Sequence, residues 1–221
     1  MFEDKVLVFD LDGTLYADVS LIGEQESARI LHFFMRKLRL NKEEAEAFIV
    51  KIRSKHYYDV DAFGHSLPLS KKEFLDYICD VDVSCLPINE KLNELLREMP
   101  QPKYILTDST RGHVKSVLHA IGVEEAHFKD VFDADAMDYD FKYTGGAYRR
   151  FFERYGFVPN DCVMFEENKV NIKTAKKAGM ITVLIRNTDE HCSYADFEFK
   201  DINTALEYFR AQPVQKNKKI C

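Results

Sequence analysis

The feature that most constrains this chain is the run Lys5-Val6-Leu7-Val8-Phe9 breaking into Asp10-Leu11-Asp12-Gly13-Thr14. A stretch this apolar and Val-rich, ended abruptly by turn residues, predicts a strand buried on both faces. Such strands belong to parallel sheets, whose members must be joined by crossovers. The chain after Pro100 supplies those crossovers. Residues 104–106 read as a strand ending at Thr107, followed by the helical stripe Val114, Val117, Leu118, Ile121 and the stop Gly122. Residues 131–134 read as a strand. Tyr148, Phe151, Phe152 and Tyr155 form the next stripe, closed by Gly156, with Phe151 and Phe152 in the core. Residues 162–165 form a strand running into Glu166-Glu167. A helix through Ile172 and Ala175 to Gly179, a strand over 182–185 and a helix over 205–209 complete the alternation.

Between the first strand and Pro100 the rhythm is helical. Leu31, Phe34, Met35 and Leu38 are spaced i, i+3, i+4, i+7, and Ala45, Phe48, Ile49 and Ile52 repeat the pattern behind a capping pair, Asn41 and Glu44. Residues 56–70, with Gly64 and Pro68, read as a loop. Ser70 and Glu73 open a short helix through Phe74, Leu75 and Ile78, and Leu92, Leu95, Leu96 and Met99 mark another. The expected fold is an α/β, doubly wound, Rossmann-like parallel sheet with a block of helices inserted after the first strand. The expected division places residues 1–16 and 96–212 in the sheet domain, 17–95 in the inserted block and 213–221 in a disordered tail.

Composition excludes several classes of function. Hydrophobic residues make up 46 % of the 221, enough for a sizeable core. The net charge of -6 and the even spread of basic residues offer no stripe for nucleic acid. The basic stretch 216–219 reads as a solvated terminus. The five cysteines, Cys79, Cys85, Cys162, Cys192 and Cys221, include no C-x-x-C pair, so neither a disulfide framework nor a thiolate zinc site is expected. The N-terminus lacks the basic start and long apolar run of a signal peptide, and no apolar stretch would span a membrane, so the expected location is the cytoplasm.

Polar residues recur where the apolar strands end: Asp10 and Asp12, Thr107 and Asp108, Glu166 and Glu167. Ligands of open α/β sheets bind at that edge. Any one of these residues could simply cap the following helix, but three strands delivering acids or hydroxyls to one edge predict a site. In Asp-Leu-Asp, strand geometry points residues i and i+2 the same way. Two converging carboxylates repel unless a hard cation neutralises them, and oxygen ligands suit Mg²⁺. One carboxylate can then attack phosphorus while the other moves a proton.

Phe9-Asp10-Leu11-Asp12-Gly13-Thr14-Leu15-Tyr16 resembles the first motif of the haloacid dehalogenase superfamily. Leu106-Thr107-Asp108 resembles the second motif, Lys142 the third, and Glu166-Glu167-Asn168-Lys169-Val170-Asn171 the fourth, normally D-D-S-x-x-N. The inserted block resembles the cap of that superfamily, and the first motif is most similar to that of its pyrimidine 5′-nucleotidase group. The resemblance implies a Mg²⁺-dependent phosphomonoester hydrolase working through an aspartyl-phosphate. Asp10 would be nucleophile and metal ligand. Asp12 would be acid/base and a metal ligand through its backbone carbonyl. Thr107, the backbone N–H of Asp108 and Lys142 would hold the phosphate. Glu166 would be a metal ligand, and Glu167, also at the metal, would orient Lys142 or a bound water. The second aspartate argues against a dehalogenase, whose reaction has no leaving oxygen to protonate. The substrate would be a small phosphorylated metabolite, with a nucleoside 5′-monophosphate as one candidate. The rival readings are another sugar-phosphate phosphatase or a phosphomutase, and a non-enzymatic relative that binds phosphate compounds or a partner protein.

Two departures from the pattern matter. Glu-Glu replaces the usual Asp-Asp, which predicts that the strand sits back or that the metal shell loses a water. Asp108 stands where relatives often carry Asn. A carboxylate facing phosphate at about 4 Å would cost about 4 kcal/mol at an effective dielectric near 20. Asp108 is therefore expected to turn away and cap the helix starting near Thr110, with Arg111 or Lys169 offsetting charge, in an enzyme slower or more selective than its relatives. Tyr57, Tyr58, Asp59 and His65 are expected either to stack a substrate base or to pack within the cap. His113 is expected on a helix surface, and His32, His56, His119, His127 and His191 show no ligand spacing.

Overall fold

The computed structural model describes Phe2 and residues 4–17, 20–64, 67–186 and 191–211. The expected tail and His65 lie outside these residues. Six strands form one parallel sheet in the order β3-β2-β1-β4-β5-β6. They are β1 (Val6–Phe9), β2 (Lys103–Leu106), β3 (Asp130–Phe132), β4 (Cys162–Glu166), β5 (Ile181–Ile185) and β6 (Phe197–Phe199). The order reverses at β1: the chain leaves through β2 and β3 on one side and returns through β4 on the other. A crevice opens at the carboxyl ends of strands flanking such a reversal. Phe9 pairs with both Ile105 and Phe165, so the ends of β1, β2 and β4 lie level and their polar residues meet there.

Side-chain alternation sorts the helices. Leu7, Phe9, Ile105, Val163 and Phe165 face a core shared with α4 (Glu90–Glu98), α5 (Arg111–Ala120) and α8 (Ile202–Ala211). Val6, Val8, Leu106, Phe132 and Met164 face the other core, with α6 (Gly146–Tyr155) and Ala175 of α7 (Lys169–Lys177). The second core runs on into α1 (Ser20–Leu38), α2 (Lys42–Arg53) and α3 (Lys71–Ile78), where Phe33, Phe63 and Phe74 pack edge to face or stacked. Asn41 and Glu44 form the expected capping box of α2. No helix among the described residues is long and apolar enough to cross a membrane.

Several boundaries differ from the sequence reading. Residues 56–70 contain a 3₁₀ turn, Asp59–Ala62. Strand β3 ends at Phe132 because Asp133 turns the chain, accepting from the N–H groups of Arg111 (3.1 Å) and Ala136 (3.0 Å). Strand β6 has no apolar run to announce it, since only Phe197-Glu198-Phe199 pairs, at the sheet edge. The expected division at residue 95 falls inside α4, which packs on α8 and on the β1 core.

Candidate active site

Asp10 follows β1 directly, and its backbone N–H donates to Phe165 (2.9 Å), holding it level with the end of β4. Its carboxylate points along the same face as Val6 and Val8 and meets Lys142, whose Nζ donates to Asp10 Oδ1 and to Glu166 Oε2 (2.7 Å). Lys142 is only 2 % exposed. Its loop is pinned by Asp108, whose Oδ1 accepts the Lys142 backbone N–H at 3.1 Å. Glu166 Oε1 folds back to accept the N–H of Asn168 (3.0 Å), while Glu167 Oε2 accepts the Thr14 hydroxyl (3.0 Å). Gly13 is required beside it: φ is +82°, and a Cβ there would lie 2.8 Å from Glu167 Cγ.

Carboxylate oxygens of Asp10, Glu166 and Glu167 all lie within 4.8 Å of one another. Three carboxylates face one ammonium, a deficit of two positive charges if all are ionised. Burial, then Glu166, pushes the Asp10 carboxyl up. Burial, then Glu166 and Asp10, pushes Glu167 well up. Burial disfavours a charged Lys142, but Asp10, Glu166 and Asp108 outweigh it and hold the ammonium protonated. The all-oxygen donor set and the missing charge both fit a hard divalent cation.

Asp12 points into a second set of partners. Its Oδ1 accepts from Tyr16 Oη (2.5 Å) and lies 2.7 Å from His113 Nε2, and its Oδ2 accepts from Ser109 Oγ (2.8 Å). Burial alone would raise this carboxyl, but the bonds from His113, Tyr16 and Ser109 bring it below its ordinary value. Burial likewise disfavours the His113 cation, and the Asp12 bond reverses that and raises it. His113 is 2 % exposed, with Nδ1 3.2 Å from the Cys79 carbonyl. The expectation of a surface histidine is therefore corrected. Its position four residues before Val117 was the available signal, because i and i+4 share a helix face.

Thr107 is buried after β2, with Oγ1 accepting the Ser109 N–H at 3.1 Å. The site opens into a cavity of about 510 Å³ lined by Asp10, Asp12, Thr107, Lys142 and Glu167, and by Glu26, Tyr57 and Tyr58 from the inserted helices and their loop.

A family model described as haloacid dehalogenase-like hydrolase matches residues 5–179, which include every element of this site. The chain belongs to that family. Solved structures agree on the fold. L-2-haloacid dehalogenase from Xanthobacter autotrophicus superposes with TM-score 0.60 at 16 % identity, over 95 % of this chain and 99 % of that one. A HAD phosphatase from Thermococcus onnurineus gives 0.62 at 23 %, over 93 % and 97 %. CbbY from Rhodobacter sphaeroides, in complex with phosphate, gives 0.62 at 17 %, over 92 % and 96 %.

Within this haloacid dehalogenase-like hydrolase, several residues lie elsewhere than expected. Asp108 does not cap α5; Thr110 does, accepting the His113 N–H at 3.3 Å. Asp108 instead spends Oδ1 on Lys142 and Oδ2 on Tyr58 Oη (3.0 Å), and burial raises its carboxyl. Lys142 is oriented by Asp10 and Glu166, and Glu167 bonds to Thr14 and Glu166, not to Lys142. Arg111 faces Asp130 (2.9 Å) and the Val131 carbonyl, away from the acidic trio. Tyr57 stacks on Tyr143 at 4.6 Å, and Asp59 is held by Arg53 through two bonds of 2.9 and 2.7 Å. The Arg53–Asp59 pair is packing within the inserted block, one of the two expectations, while Tyr57 and Tyr58 reach across to Tyr143 and Asp108.

Proposed function

We propose that this hydrolase is a Mg²⁺-dependent phosphomonoester hydrolase working through an aspartyl-phosphate on Asp10. The observation that carries the reading is the Asp12 carboxylate, two residues beyond the proposed nucleophile and held by His113, Tyr16 and Ser109. A displacement that expels halide needs no such proton carrier, whereas one that expels an alcohol does. Asp10, Glu166, Glu167 and the Asp12 backbone carbonyl would hold the ion. Bound Mg²⁺ supplies charge neutralisation at the acidic trio and the phosphoryl oxygens.

The chain's own groups then divide the work. Thr107 Oγ1, the Asp108 backbone N–H and Lys142 Nζ hold phosphoryl oxygens, so the transferred group meets preorganised donors. A carboxylate oxygen of Asp10 attacks phosphorus, and the P–O bond to the alcohol breaks. The departing oxygen takes a proton from Asp12. The Asp12–His113 pair stores that proton on His113 at rest, and the arriving phosphate charge favours its shift onto Asp12. In the second half a water attacks the aspartyl-phosphate and gives its proton to Asp12, releasing phosphate and restoring Asp10. The inserted helices would act as a cap whose walls select the alcohol.

The test is phosphate release from sugar phosphates, nucleoside 5′-monophosphates and p-nitrophenyl phosphate, with Mg²⁺ and with chelator, beside Asp10→Asn. Turnover that needs Mg²⁺ and vanishes in the variant is expected. Well-folded protein that releases no phosphate from any of these compounds would refute the reading in favour of a non-catalytic relative.

A further inference from the structure

The inserted block contributes the apolar side chains Ile22, Ile30, Val60, Phe74, Leu75 and Ile78 to the lining of the cavity. Four polar side chains of the inserted helices and loop line it and are already engaged. Arg53 and Asp59 hold each other, Tyr58 is bonded to Asp108, and Tyr57 is bonded to Asn168 at 3.2 Å. Glu26, on α1, differs. Its carboxylate lines the same cavity, and no hydrogen bond or ion pair engages it among the described residues. Asp12 and His113 are its electrostatic neighbours, and burial together with the Asp12 charge pushes its carboxyl up to about 7.

A half-buried carboxylate in an apolar wall is costly unless something arrives to bond it. The neighbour that matters is Asp12, which under the proposed mechanism touches the leaving oxygen. Asp12 and Glu26 line one cavity, so a group bonded to Glu26 would belong to the leaving alcohol and not to the phosphoryl group. Resting on the phosphatase reading, we propose that Glu26 is a specificity-determining residue. It selects phosphate monoesters whose alcohol carries a hydrogen-bond donor, hydroxyl or ammonium, near the ester carbon. Polyol, sugar and amino-alcohol phosphates fit this description, and plain alkyl phosphates do not. Discrimination follows because an alcohol lacking the donor would bury the carboxylate unpaired.

The experiment measures kcat/KM for glycerol 3-phosphate, ethanolamine phosphate and propyl phosphate, with p-nitrophenyl phosphate as an activated reference. The proteins are the full chain, Glu26→Gln and Glu26→Leu. The readout is the ratio of each donor-bearing substrate to propyl phosphate within one protein, so a general loss of folded enzyme cancels. The wild-type ratio is expected to be about 10- to 100-fold for at least one donor class, falling to near one in Glu26→Leu. Glu26→Gln keeps a hydroxyl preference and loses an ammonium preference, which separates the two donors. A wild-type ratio near one, or a ratio unchanged in Glu26→Leu, overturns the assignment of Glu26 while leaving the phosphatase reading intact. Absence of turnover on all four compounds overturns the assignment of Glu26, and the phosphatase reading falls with it only if the sugar phosphates and nucleoside 5′-monophosphates also release no phosphate.

Discussion

His113→Leu separates a proton-delivery role from a structural one. The substitution removes the 2.7 Å contact to Asp12 Oδ1 and the 3.2 Å contact to the Cys79 carbonyl, leaving Tyr16 and Ser109 on Asp12. A hydrogen bond to a charged group contributes about 1.5–3 kcal/mol. At about 1.4 kcal/mol per decade, losing it from the step that protonates the alcohol slows that step by roughly 10- to 150-fold. The effect should depend on the leaving group. Alkyl phosphates need the proton and should lose about that factor in kcat, while p-nitrophenyl phosphate, whose leaving group departs as the anion, should lose less than about 3-fold. The assay is kcat on both substrates at saturating concentration. Equal losses on the two would refute proton delivery and leave His113 as packing.

Folding supplies an independent check with a definite sign. Asp12 lies below its ordinary value of 3.8, so its contribution is present above 3.8 and lost as pH falls through the lowered value. His113 lies above its ordinary 6.5, so its contribution is present below 6.5 and lost as pH rises through the raised value. The difference in Tm between wild type and His113→Leu should therefore be widest between those two values and narrow on the alkaline side. Loss of partners for buried groups costs about 1–3 kcal/mol, or roughly 2–12 °C in a chain of this size.

Three further outcomes are expected. Because the Asp10 and Glu167 carboxyls are pushed up, their ionisation opposes folding as pH rises; the chelated protein should lose Tm between about pH 5 and 8, and Mg²⁺ should restore more at the higher pH, which thermal scans at both values would check. Lys142→Met leaves Asp10 and Glu166 buried without their shared cation, so it should abolish turnover and cost about 3–5 kcal/mol near neutral pH, measured by urea denaturation. Asp108→Asn keeps an Oδ1 acceptor for the Lys142 N–H and removes a charge that faces Tyr58, so KM should stay within about 3-fold; a tenfold fall would show that the carboxylate had opposed the substrate phosphate.

The fold was legible because β1, β4 and β5 are near-continuous apolar runs and the crossover helices carry clear stripes; β6, with a single glutamate between two phenylalanines, has no such run. The site residues adjoin strand ends, so Asp10, Thr107 and Glu166 could be located from those runs alone. Lys142 could not, since it sits in a 3₁₀ turn with no periodic signal, and only the family pattern pointed to it. The partners of Asp12 were hidden for another reason. Tyr16, Ser109 and His113 come from two segments nearly a hundred residues apart, and their convergence depends on where α5 begins relative to the end of β1. Glu26 was missed because no motif marks it, although Ile22 and Ile30, four residues to either side, place it on the inward face of α1.

The Glu-Glu pair shows how longer ligands are absorbed. The longer acids follow a strand, β4, that pairs with β1 without interruption from Val6–Cys162 to Phe9–Phe165. The extra methylenes are taken up by the side chains. Glu166 bends so that one oxygen returns to the Asn168 N–H and the other reaches Lys142, which fixes its carboxylate from both ends. Glu167 lies across Gly13, in the space that a Cβ would occupy, and is held there by Thr14. Gly13 thus serves two needs, a left-handed turn and room for a longer acid. Any residue with a Cβ at position 13 would have to displace Glu167 from the acidic trio as well as strain the turn, which ties the first and fourth motifs to each other through one contact.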